Sequence, residues 1–147
     1  MPSVTKRAPK RGAIKKSVAK KRSAPVKRAA ATPLARVREI CLSLPEAHEV
    51  ESWGTPTFRV NNKIFVMYSE GAHHSGGRAG IWMTSVSVEQ DFVLRARPNR
   101  YFKPPYVGPS GWIGAWLDQN PPWAEIAELI RDAYRRRAPK KLAALVE

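Results

Sequence analysis

Apolar positions recur with structural periods from Thr32 onward. Leu34, Val37, Ile40, Cys41 and Leu44 follow one another at spacings of three and four, the single apolar stripe of an amphipathic helix. Thr32 can cap that helix, Pro33 suits its first position, and Pro45 ends it. Trp53-Gly54-Thr55-Pro56 is a turn-rich approach to a strand. Thr57–Val60 and Lys63–Ser69 then flank Asn61-Asn62, and because Asn tolerates positive φ the pattern predicts a two-residue hairpin. The expected register pairs Val60 with Lys63, Arg59 with Ile64 and Phe58 with Phe65. It places Phe58, Val60, Phe65 and Met67 on one face, and Thr57, Arg59, Ile64, Val66 and Tyr68 on the other.

Glu70–Arg78 reads as a Gly-rich loop holding His73 and His74, and Ala79–Thr84 as a third strand. Ser87-Val88-Glu89-Gln90 has the form of a capping box, predicting a helix to about Arg97 that Pro98-Asn99 breaks. Tyr101–Val107 is extended and Pro-rich and passes into the turn Gly108-Pro109-Ser110-Gly111. Trp112–Leu117 is a further strand. Asn120 with Pro121 starts a helix through about Arg137, with Trp123, Ile126, Ala127, Ile130 and Tyr134 as its stripe, and Leu142–Val146 is a short last helical piece. The order α-β-β-β-α-β-β-α predicts an α+β domain over residues 32–147: two layers, an antiparallel sheet with helices packed on one face.

Charge changes the picture. The 147 residues carry 26 Lys and Arg against 12 Asp and Glu, a formal net charge of +14. Eleven of the cations fall in residues 1–31, which hold no acid: Lys6, Arg7, Lys10, Arg11, Lys15, Lys16, Lys20, Lys21, Arg22, Lys27 and Arg28. The other 116 residues hold 15 basic and 12 acidic side chains, a net +3. The tail is otherwise mostly Ala, Ser, Pro and Val with no aromatic residue, so it cannot bury enough apolar surface to offset its ordering entropy. It is expected to be disordered when free and to bind nucleic acid, because Lys and Arg displace counterions from phosphate. A solubilising role and a targeting address are the alternatives. Its Lys-Ala-Pro texture resembles the tails of linker histones and of some nucleoid proteins. The longest apolar runs, such as Ile64–Tyr68, are far short of the roughly 20 residues of a membrane span and of a secretory signal. A single cysteine excludes an internal disulfide and a cysteine-built zinc site. A cytoplasmic, nucleoid-associated protein without cofactor is expected.

The folded part resembles the MmcQ/YjbR family. The resemblance is carried by Leu44-Pro45-Glu46-Ala47, by Trp53-Gly54-Thr55-Pro56-Thr57-Phe58-Arg59-Val60 with Lys63-Ile64-Phe65, and by Tyr101-Phe102-Lys103-Pro104-Pro105-Tyr106-Val107-Gly108 with Gly111-Trp112-Ile113-Gly114. Trp123, Ala133-Tyr134-Arg135 and Ala138-Pro139-Lys140-Lys141-Leu142 extend it, over about residues 33–146. The resemblance implies a two-layer domain similar to type III secretion chaperones, and DNA binding through a proposed "double wing" arrangement. Two features depart from the family pattern. Met83-Thr84 stands where many relatives have a Lys at the end of the third strand, and the basic tail is not part of the family domain.

Candidate chemistry is sparse. Cys41 lies on an apolar stripe, where a cysteine behaves as a small hydrophobe. His73-His74 have no carboxylate or cysteine nearby in sequence to complete a metal site. His48 sits among Glu46, Glu49 and Glu51, but no nucleophile accompanies it. Gly76-Gly77 lacks the Lys-Ser/Thr ending of a phosphate loop. No catalytic signature emerges, and the expected protein is not an enzyme. If Ile113, Ala115 and Leu117 face the helices, alternation turns Trp112 and Trp116 the other way, either to stack bases or to serve as core. The C-terminal stretch from the long helix onward carries Arg131, Arg135, Arg136, Arg137, Lys140 and Lys141, opposed in that run by Asp132 alone, a second phosphate-binding patch. Arg59 and Lys63 are further cationic candidates, and Trp53, Tyr106 and Trp112 are candidates for stacking or for a pocket near Arg59.

The resulting expectation is a non-enzymatic, sequence-tolerant DNA-binding protein, tail for affinity and domain for shape, with no membrane partner. The rivals are an RNA- or ribosome-associated protein, a small-molecule-binding or enzymatic domain, and a protein-interaction module of chaperone-like fold. The sequence leaves the oligomeric state open.

Overall fold

The computed structural model describes residues 32–70 and 77–146. The basic tail and the His73-His74 pair lie outside these residues.

Helix α1 (Pro33–Leu42) starts at the expected proline and buries Val37 and Cys41. Four strands come next: β1 (His48–Ser52), β2 (Thr55–Val60), β3 (Lys63–Ser69) and β4 (Gly80–Met83). Helix α2 (Ser87–Ala96), strand β5 (Tyr101–Phe102), a 3₁₀ turn (Gly108–Ser110), strand β6 (Ile113–Trp116), helix α3 (Trp123–Arg137) and helix α4 (Lys140–Ala143) complete the order. The strands form one six-stranded antiparallel sheet, β1-β2-β3-β4-β6-β5. The α+β class and the antiparallel sheet match the sequence expectation.

Strand β1 is the element the pattern missed. His48-Glu49-Val50-Glu51-Ser52 has one apolar residue, because β1 is an outermost strand paired only with β2 and presents much of its side-chain surface to water. The β1–β2 and β2–β3 connections are both two-residue turns with positive φ at both positions, Trp53-Gly54 and Asn61-Asn62, the type I′ geometry that matches strand twist.

A bulge corrects the expected hairpin register. Val60↔Lys63 and Arg59↔Ile64 pair as expected, but Phe58 pairs with Val66 rather than with Phe65, and Thr57 with Met67. One extra residue on β3 shifts everything beyond it by one place and so exchanges the faces. Val66 and Tyr68 therefore join Phe58 on the helix side, and Met67 goes to the other side with Thr57. Phe65 still meets α3, edge-on to the Tyr134 ring at 5.5 Å.

Two rows of cross-strand neighbours define the faces. Tyr68, Ile81, Ala115 and Tyr101 lie abreast and buried, as do Val66, Met83 and Ile113. They meet Ile126, Leu129, Ile130, Ala133 and Tyr134 of α3, and Tyr134 donates its hydroxyl to the Pro45 carbonyl at 2.6 Å. On the opposite face lie Met67, Trp82, Gly114 and Phe102, then Gly80 and Trp116. The Phe102 ring lies over Gly114, where a Cβ would come within 2.3 Å of it, and stacks on Trp116 at 4.1 Å. Glycine at 114 is thus required by a close approach and not by a turn.

Both helix starts differ from expectation. Helix α2 has no side-chain cap. Gln90, which the sequence offers as half of a capping box, is buried and donates its amide to the carbonyls of Gly108 and Trp112 at 2.9 and 2.6 Å. The Trp112 carbonyl, and the Gly108 carbonyl that also accepts the Gly111 N–H, compete more strongly for it than its own helix terminus. Helix α3 begins at Trp123 after Pro122, and Asn120 takes φ 53° in the preceding turn instead of capping.

Candidate functional site

The cationic patch on α3 is largely spent inside the domain. Arg131 pairs with Glu128, and Arg135 bridges Asp132 at 2.6 Å and the Val146 carbonyl at 2.9 Å. Arg136 crosses to Glu89 of α2 at 2.7 Å. Arg137 lies over the Trp112 ring at 5.8 Å. Asp132 is therefore not the only opposing acid: Glu128 lies one turn earlier on the same helix, and Glu89 reaches it from α2, a position that linear order does not connect. Lys140 and Lys141 stand exposed without a carboxylate partner among the described residues, and so does Lys63 at the β2–β3 turn. Arg59 is half-buried, its guanidinium donating to Ser52 Oγ at 2.8 Å and Thr57 Oγ1 at 3.2 Å, so it braces β1 against β2.

The tryptophans separate. Trp112 is buried beside Arg137 in the helical layer. Trp116 is covered on the opposite sheet face by Phe102 and by the Arg78 guanidinium at 3.9 Å, which Asp118 holds in a two-pronged ion pair at 2.7 and 3.0 Å. These rings are occupied within the fold.

Trp53 and Tyr106 come together at a cleft of about 790 Å3. Its walls are Trp53, Gly54, Thr55 and Pro56 from the β1–β2 turn, Met67, Tyr68, Ser69 and Glu70 from the end of β3, Trp82 of β4, and Tyr106-Val107, with Leu34 of α1. Trp53 is 79% and Tyr106 77% exposed, and both hold left-handed backbone, φ 55° and 67°. Left-handed φ is unfavourable for a bulky side chain; at Trp53 the type I′ turn requires it. Within the cleft Tyr68 donates its hydroxyl to the Glu70 carboxylate at 2.7 Å. Burial and that carboxylate push the Tyr68 pKa well above its usual value, keeping the phenol protonated. Thr55 donates its hydroxyl to the Tyr68 carbonyl, tying the turn to β3. Arg59 and Trp112 are not among the walls. Sequence reasoning misses Met67, Trp82 and Glu70: the bulge conceals which face Met67 takes, and Glu70 carries the composition of the adjoining loop.

Other candidates make contacts within the domain. Cys41 is fully buried and burial pushes its thiol pKa up. His48 Nδ1 lies 3.5 Å from the Glu46 carbonyl. Met83 and Thr84, at the departure from the family pattern, are both buried, and Thr84 donates its hydroxyl to the Ala133 carbonyl at 3.1 Å. Among the described residues no helix is long and apolar enough to cross a membrane.

The YjbR family pattern matches residues 42–136, from the last residue of α1 to the last turn of α3 and across the whole sheet. The chain belongs to the YjbR family. The match is narrower than the span of about 33–146 expected from the sequence, leaving most of α1 and the Pro139–Lys141 corner outside it. A crystal structure of a Deinococcus radiodurans protein with a DUF419 domain is similar in fold, with a TM-score of 0.60 at 18% identity over 71% of this chain and 80% of that one. No curated protein matches the chain. The YjbR domain thus supplies the sheet that carries the cleft, whereas the basic tail is an addition to it.

Proposed function

We propose that this YjbR-family protein binds nucleic acid, DNA foremost, with little sequence preference and without catalysis, and that its affinity resides in residues 1–31. The observation that carries this reading is the charge distribution: eleven cations and no acid in 31 residues, against a net +3 over the other 116. The domain's geometry supports the same division, because the guanidinium groups of Arg131, Arg135 and Arg136 already neutralise carboxylates of the fold. Lys63, Lys140 and Lys141 add a weaker set of phosphate contacts.

A salt titration of the full chain tests it. Each neutralised phosphate contributes about −0.9 to the slope of log K against log salt. Replacing all eleven tail cations with Gln is expected to flatten that slope by about 5–9 on two unrelated duplexes alike. An unchanged slope would place binding in the domain, and a marked preference for structured RNA over duplex DNA would identify RNA as the partner.

A further inference from the structure

The described walls of the cleft suit phosphate poorly. Among the described residues its walls include no Lys or Arg, and the one charged side chain there is an acid, Glu70. An anion placed among these walls would meet a carboxylate with no compensating cation among the described residues. Aromatic rings form the rest of its character: Trp53 and Tyr106 at the mouth, Trp82 and Tyr68 in the walls, with Met67 and Leu34 as aliphatic surface. The faces of such rings carry negative electrostatic potential and attract cations, most strongly when the cation is poorly hydrated. An acid beside several rings adds a second attraction of the same sign. The volume of about 790 Å3 accommodates a whole small molecule and not merely a methyl-sized headgroup.

We infer that this cleft binds a free organic cation: an alkylated ammonium joined to a planar or aliphatic apolar body. The ammonium lies against the rings near Glu70, and the body lies along Met67, Trp82 and Leu34. Trp53, set by the β1–β2 turn, and Tyr106 hold left-handed backbone and leave their rings exposed at the mouth. Tyr68 orients the carboxylate through its hydroxyl, so it is a positioning residue.

Benzyltrimethylammonium, benzyl alcohol and phenylacetate serve as cationic, neutral and anionic probes of similar size, titrated into the full chain by calorimetry and by the indole N–H resonances of Trp53 and Trp82. The cation is expected to bind about tenfold or more tightly than the alcohol, and phenylacetate more weakly still. Glu70→Gln should remove most of the preference for cation over alcohol, and Trp53→Ala should weaken both. Tyr68→Phe should reduce the preference less than Glu70→Gln does. Phe92→Ala, an exposed aromatic on α2 remote from the cleft walls, should change nothing. None of these substitutions should alter the salt dependence of nucleic-acid binding, so this inference and the tail's role fail separately. Binding of phenylacetate as tight as that of the cation, or a cation preference untouched by Glu70→Gln, would overturn the inference. So would co-sedimentation with phosphatidylcholine vesicles without response to the free cation, which would assign the cleft to a lipid headgroup.

Discussion

Single atoms decide how much of this fold can change. At Gly114 a methyl group would occupy space held by the Phe102 ring, which is itself fixed by Trp116. Gly114→Ala is expected to cost about 1–3 kcal/mol, the usual range for overpacking, measured as a lowered denaturant midpoint. Cys41 is the opposite case, a buried group with no polar duty. Its thiol should resist an aromatic disulfide reagent even at pH 9 in the native protein and react at once on unfolding, because burial both shields it and holds its proton. Trp53 joins stability to the inferred cation site. Trp53→Asn places a residue that tolerates left-handed backbone in the same turn, and should stabilise the protein by up to about 1 kcal/mol while weakening cation binding.

Elements are legible where one face is wet and obscure where geometry is irregular. The stripes of α1 and α3 and the Asn61-Asn62 hairpin follow from period and turn chemistry, and the structure keeps them. Strand β1 is hidden because an edge strand needs few apolar residues. The bulge is hidden because Ile64, Phe65 and Val66 are all apolar, so pattern alone sets no register among them. Without the bulge the expected register puts Met67 on the helix side, away from the cleft that it lines. Trp53 and Tyr106 stand out as aromatic residues beside turn formers, whereas Glu70 has no local signal. Charge pairs such as Arg136 with Glu89 join different helices and are invisible to linear reading. Gln90 shows the energetic side of such long-range pairing. Removing its amide by Gln90→Ala takes the side-chain donor from the Trp112 carbonyl, while the Gly108 carbonyl keeps the Gly111 N–H, and is expected to cost about 1–3 kcal/mol, whereas Glu89→Gln at the half-exposed ion pair should cost less than about 1 kcal/mol. Denaturant midpoints of the two variants check that order.

The molecule as a whole should fail on the alkaline side. Tyr68, Tyr101 and Tyr134 are buried, and burial raises all three phenol pKa values, with carboxylates near each adding to the shift. The folded state thus holds these protons more tightly than the unfolded chain, whose tyrosines ionise near 10. Their contribution is complete below pH 10 and declines as pH rises beyond it. Denaturant midpoints recorded between pH 7 and 11.5 should be flat at first and fall above about 10. The order of events is checkable: phenolate absorbance of these three should appear with unfolding and not before it.

Both margins of the sheet are blunted, one by a strand only two residues long and the other by the acidic strand β1. A chain that its own charge gathers onto a polyanion reaches high local concentration, the condition under which open strand margins of neighbouring copies join. Glu51, exposed on β1, turns such encounters into mutual repulsion, whereas Glu49 is paired with Arg38. Under the proposed function, Glu51 is then expected to let the protein crowd along a polymer without its copies joining margin to margin.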